Sequence, residues 1–115
     1  MKVQVNTDNH IEGHERLAAH VTSVVENALR HSRDHITRVE VHLSDGNSAA
    51  SAHQDKRCVM EARFEGRPPV AVTHHADSLD QAVEGAARKI KAALESMLGR
   101  LSDHHRHPAP AADSE

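Results

Sequence analysis

The sequence predicts one α+β domain of order β-α-β-β-β-α, a four-stranded sheet with two helices packed on one face. Three observations predict it. Apolar and polar residues alternate in four short stretches, the period of a half-buried strand. In two longer stretches the apolar residues recur every three or four positions, the period of a helix with a core-facing stripe. The 115 residues are also about the length of a single domain with one modest core.

Residues 1–7 alternate, with Val3 and Val5 on one side and Lys2, Gln4 and Asn6 on the other. A polar connection holding Gly13 follows. From Glu15 to His31 the period changes: Leu17, Val21, Val24, Val25, Ala28 and Leu29 form one stripe. The β-branched valines lower helix propensity slightly, and the stripe outweighs them. His35 to Ser44 alternates again, Val39, Val41 and Leu43 inward, Arg38, Glu40 and His42 outward.

Asp45 to Asp55, DGNSAASAHQD, is too long and polar for a tight hairpin and reads as a mobile loop. Lys56 to Glu65 is the third strand, with Cys58, Met60, Ala62 and Phe64 on its apolar face. Gly66-Arg67-Pro68-Pro69 supplies breakers for a turn, and Val70 to His75 is the fourth strand. Ser78 then stands three residues before Gln81, the spacing of a capping box. The second helix runs from there to about Leu101 on Leu79, Val83, Ala86, Ile90, Leu94 and Met97. Gly85 inside it costs about 1 kcal/mol against Ala, and close approach to the sheet is the expected reason. Residues 1–101 form the domain. Ser102 to Glu115, SDHHRHPAPAADSE, has no period and reads as a disordered tail.

The order sets the architecture. A helix between the first two strands lets them pair in parallel by a right-handed crossover. The last three strands form an antiparallel meander. Both helices need an apolar surface, and the sheet offers one.

Composition narrows the function. Mean hydropathy is −0.64, and no apolar run approaches the roughly 18 residues of a membrane span. The first residues turn polar at once, unlike a secretory leader. A lone Cys58 cannot form an internal disulfide. A soluble cytoplasmic protein is expected. There is no Trp or Tyr and one Phe64, so the core is aliphatic and base-stacking aromatics are nearly absent. Formal net charge is −3, with twelve histidines that titrate near neutrality.

The residues with chemistry to offer are cations. Arg88, Lys89 and Lys91 cluster on the second helix, and Arg88 and Lys91, three apart, share an edge. Arg30, Arg33 and Arg38 gather between the first helix and the second strand. Cations spaced along a rigid surface are what phosphate contacts need; the plainer reading is a solvated helix face. The outer sheet face mixes Arg38, Glu40, Arg57, Glu61, Arg63 and Glu65, which reads as cross-strand ion pairing.

Adjacent His74 and His75 point to opposite faces and cannot share a metal. The tail run His104-His105-Arg106-His107 lacks the defined four-ligand spacing of a structural site. No metal or cofactor is expected. Cys58 reads as a buried structural thiol. No nucleophile–base arrangement, phosphate loop or carboxylate pair appears, so no enzyme is expected.

The stretch LAAHVTSVVENALRHSRDHITRVEVHLS, above all Asp34-His35-Ile36-Thr37 followed by Val39-Glu40-Val41, resembles the first helix and second strand of the ribosome hibernation promoting factor family, also called ribosome-associated inhibitors or sigma-54 modulation proteins. HADSLDQAVEGAARKIKAAL resembles the family's final segment, with Ala82-Val83 and then Lys89-Ile90. The resemblance covers roughly residues 1–101 and is to the short type. It implies a translation inhibitor that binds small-subunit rRNA in stress or stationary phase and blocks the mRNA and tRNA sites. It implies RNA contacts at Arg88, Lys89, Lys91, Arg30, Arg33 and Arg38, and neither membrane nor small-molecule substrate. Some usual basic positions hold Ala18, Val24, Asn27 and Ala92, and Leu79 and Asp80 stand where the family has an aromatic. The alternative is a protein-binding stress adaptor of the same fold with reduced ribosome affinity; a His-rich metal buffer is a third reading.

Overall fold

The computed structural model describes the backbone of residues 1–8, 13–45 and 56–106, and their side chains up to residue 100. The elements are β1 (Lys2–Thr7), α1 (His14–Ala28), β2 (Arg38–Asp45), β3 (Lys56–Phe64), β4 (Arg67–Ala76) and α2 (Leu79–Arg106), with a short 3-10 turn at Arg33–His35. Among the described residues this is the expected β-α-β-β-β-α order. The strands lie β1-β2-β3-β4, parallel between β1 and β2 and antiparallel thereafter.

The register turns strand alternation into a two-faced sheet. Val5, Val41, Met60 and Val72 form one cross-strand row; Val3, Val39, Ala62 and Val70 form the next. A third row runs Leu43, Cys58, His74. These rows face the helices: α1 lies over β1, and α2 lies over β3 and β4. Val21, Val25, Leu29, Val83, Ala86, Ile90 and Leu94 close the core from above. It is aliphatic, as composition requires. Phe64 is only half-buried at its margin.

The boundaries moved for local reasons. The α-helical pattern of α1 stops at Ala28, not His31. Gly13 enters it at φ 71 with no side-chain cap, and the Leu29 N–H still bonds to the Val25 carbonyl at 2.9 Å. The chain then turns through Ser32 into the 3-10 turn, so β2 begins at Arg38 and not His35. Between β3 and β4 the turn is only Glu65-Gly66, Gly66 supplying φ 76. Pro68 and Pro69 already belong to β4: on an edge strand one missing N–H can face outward, and the register with β3 shifts between Ala62 and Phe64, opposite the two prolines.

The Gln81 N–H donates to Ser78 Oγ at 3.1 Å, so Ser78 caps α2 as its spacing predicts. The helix backbone continues through Arg106, five residues beyond the expected Leu101. The rest of the tail and the loop from Gly46 to Asp55 lie outside the described residues. The loop's base is tied: Asp45 pairs with Lys56 at 3.2 Å, and its N–H donates to Asp8 Oδ2 at 3.0 Å. Among the described residues no helix is long and apolar enough to cross a membrane.

Candidate nucleic-acid interface

The two helices run side by side in the same direction. His20 of α1 meets Asp80 of α2 at 3.6 Å, and further along both helices line one groove of about 440 Å³. From α1 and the turn after it come Val24, Asn27, Ala28, Arg30 and His31; from α2 come Glu84, Ala87, Arg88 and Lys91. Helical spacing selects the second set, because positions 84, 88 and 91 fall on one ridge. The floor is apolar and small, and the rim carries three permanent cations and a histidine.

Charge pairing separates this groove from the centre of the outer sheet face. The side chains of Arg30, Arg88, Lys91 and His31 are exposed and make no hydrogen bond or ion pair among the described residues. Free cations that already share a rigid surface can meet phosphates without first breaking an internal pair.

The centre of the outer sheet face behaves in the opposite way. Arg38 stands directly across from Arg63, and Glu40 across from Glu61. Such like-charge rungs repel, so the pairs form on the diagonal and along the strand. Arg38 meets Glu40 at 2.5 Å, Arg63 meets Glu61 at 2.9 Å, and Arg63 Nε lies 3.5 Å from Glu40. His42 Nε2 approaches the same Glu40 at 3.7 Å. Arg38 and Arg63 are thus neutralised in place, while Arg57, expected to pair on the same face, is exposed and makes no hydrogen bond or ion pair among the described residues.

The six expected contact residues therefore divide. Arg30, Arg88 and Lys91 come together in the groove. Arg38 lies on the sheet face opposite the helices and is spent on Glu40. Arg33 is exposed in the 3-10 turn and is not among the groove's lining. Lys89 turns toward the sheet edge, its Nζ donating to the Thr73 carbonyl at 2.8 Å. That bond ties α2 to β4 and caps one outward carbonyl of an edge strand.

Sequence reasoning missed His31 and Glu84, and named Asn27 only as a position where the family it resembles carries a basic residue. The ridge at 84, 88 and 91 was readable from α2 alone. Which α1 residues face it depends on how the helices align, and one sequence does not state that.

A second, smaller hollow of about 310 Å³ adjoins through shared Glu84 and Arg88, bounded by His74, His75, Asp77 and Gln81. His74 is the inner-row residue at the β4 edge, and its ring lies against Gly85 of α2. This is the close approach that the helical glycine implied. Desolvation, then the positive charges of Lys89, Arg88 and His75, hold the His74 imidazole below its usual pKa of 6.5. Burial pushes the Cys58 thiol up to about 12, so it stays protonated and inert. Among the described residues no group of three or more His, Cys, Asp or Glu side chains is placed to hold a metal ion.

Residues 3–102 match the family model described as sigma 54 modulation protein / S30EA ribosomal protein. Several solved structures share the fold. The N-terminal domain of Thermus thermophilus Protein Y superposes with a TM-score of 0.66 at 16% identity, covering 84% of this chain and 99% of that one. A ribosomal subunit interface protein from Coxiella burnetii superposes with a TM-score of 0.64 at 13% identity, covering 86% and 99%. No curated protein matches the sequence.

Proposed function

The chain belongs to the sigma 54 modulation protein / S30EA ribosomal protein family, and from that membership we propose that it is a ribosome-associated translation inhibitor. It docks on the small subunit through rRNA phosphates, in stress or stationary phase, and occludes the mRNA and tRNA sites. The mechanism is occupancy: a rigid two-layer wedge held by charge, with no bond made or broken. A ribosomal partner implies a cytoplasmic protein.

The observation that carries this reading is the groove in which Arg30, Arg88 and Lys91 stand together and unpaired. Counterion release makes such binding steeply salt-dependent. Three phosphate contacts give a slope of log affinity against log salt of about −2 for single-stranded RNA.

The test is sucrose-gradient sedimentation with purified small subunits across a salt series. Wild type should co-sediment at low salt and dissociate as salt rises. Replacing Arg30, Arg88 and Lys91 together by Glu should abolish co-sedimentation, with the fold checked by circular dichroism. Unchanged co-sedimentation of that folded variant removes the groove from the interface. Replacing Arg38 should matter far less, because its charge is already engaged.

A protein-binding stress adaptor is the second reading, favoured by the net charge of −3 and the self-neutralised sheet face. It predicts no ribosome co-sedimentation at any salt.

A further inference from the structure

One groove residue is out of character. Glu84 is an exposed carboxylate on the ridge that carries Arg88 and Lys91, and it lines both hollows. It makes no hydrogen bond or ion pair among the described residues, even with Arg88 one turn along. It therefore holds nothing in the fold together. Facing phosphates it can only repel, which lowers affinity for any polyanion.

A carboxylate accepts hydrogen bonds and donates none. In a site built for phosphate esters, the donor that suits it is the exocyclic amino group of a nucleobase. Glu accepting from the cytosine amino group is an established pairing. The rest of the groove has the matching parts. Val24, Ala28 and Ala87 give an apolar floor for the flat face of a base. Arg30, Arg88 and Lys91 surround it with phosphate partners. The volume of about 440 Å³ lies within the range of roughly 300–1,000 Å³ typical of small-ligand sites. Arg88 follows Glu84 by one turn, so a base reader and a phosphate anchor share one helix face.

We infer that the groove between α1 and α2 seats a single unstacked nucleotide unit, and that Glu84 selects a base carrying an exocyclic amino group. The inference rests on the proposed use of this groove for RNA phosphates and adds selectivity to it. The nucleotide unit can belong to an RNA strand or be free.

Cytidine and uridine monophosphate test it, because they differ at the amino-bearing edge and share sugar and phosphate. Affinities are read by amide chemical-shift titration of the full chain, with ribose phosphate as the baseless control. Cytidine monophosphate should bind about fivefold tighter than uridine monophosphate, the low end for a base-reading contact because the groove is open to water. Shifts should centre on residues 27–31 and 84–91. In Glu84→Ala the preference should vanish, while ribose phosphate binds more tightly because a repelling charge is gone.

That divergence separates reading from simple repulsion: a merely electrostatic Glu84 gives a variant that gains for all three ligands alike. Equal binding of the two nucleotides to wild type, or a uniform gain in the variant, overturns the inference. Oligocytidine and oligouridine hexamers form the second arm. Preference for the cytidine hexamer assigns the unit to an RNA strand; preference confined to the monophosphate assigns it to a free nucleotide. Ribosome co-sedimentation without any base preference sinks this inference and leaves the proposed function standing. Base preference without co-sedimentation does the reverse.

Discussion

Gly85→Ala tests the packing beneath the candidate interface. In an exposed helix interior this change stabilises by about 1 kcal/mol, because Ala restricts the unfolded chain and suits the helix. Here the new Cβ would fall on the His74 ring, 2.6 Å from its Cγ. Spinning the ring about its own bond does not clear that contact, because Cγ itself is in the way. The whole side chain must swing off the inner row, or α2 must lift from β4. Overpacking of this kind costs about 1–3 kcal/mol. At the upper half of that range, against the propensity gain, the net loss is about 1–2 kcal/mol. For a domain of this size that lowers Tm by about 5–15 °C.

The assay is thermal and urea denaturation followed by circular dichroism, with the midpoint falling and the m-value unchanged. The decisive comparison is the same substitution in a His74→Ala background. With the ring gone, Gly85→Ala should become neutral or stabilising by up to about 1 kcal/mol, so its sign reverses. A stabilising Gly85→Ala in the wild-type background refutes the reasoning. So does an equal effect in both backgrounds, which would mean that the ring is not what the glycine accommodates.

Two further predictions concern titration and reactivity. The folded state holds His74 below its usual value of 6.5, so as pH drops toward and below that value the unfolded chain binds the proton more readily and stability declines. His74→Gln should therefore lose less stability than wild type between about pH 7 and pH 5, measured by urea midpoints; an identical pH profile would count against the assignment. Cys58, buried and pushed up to about 12, should resist a thiol reagent in native protein and titrate as one thiol in urea. Fast native labelling would contradict its place in the core.

The fold was legible because its determinants are local and periodic. Val39, Val41 and Leu43 mark a face of β2 whatever lies around them, and Ser78 caps α2 through its own hydroxyl. The misplaced boundaries share a different cause. Arg67-Pro68-Pro69 reads as a breaker until β4 is known to be an edge strand. His35 reads as strand until the chain is seen to need a 3-10 turn between Leu29 and Ile36, both buried.

The site was half legible for the same reason. Arg88 and Lys91 share a helix face by spacing alone. Whether Arg30 joins them, and whether Lys89 is claimed by the Thr73 carbonyl, depends on tertiary placement.

Net charge was the least informative number, and the structure says why. A formal −3 averages over cations in quite different circumstances. Arg38 and Arg63 are held by Glu40 and Glu61 on the outer sheet face, where they present little field to a polyanion. Arg30, Arg88 and Lys91 are unheld and face one groove. Screening confines each charge's influence to about 8–10 Å at physiological salt, so a strand in the groove responds to the groove's own cations and hardly to acids elsewhere. An acidic chain can thus keep a basic seat, provided its surplus carboxylates are consumed against its other cations or stand a Debye length away. Glu84 breaks that arrangement by standing in the seat itself, unpaired. Its charge would oppose any phosphate contact at Arg88, which is why the inferred ligand is one that brings a donor along with the phosphate.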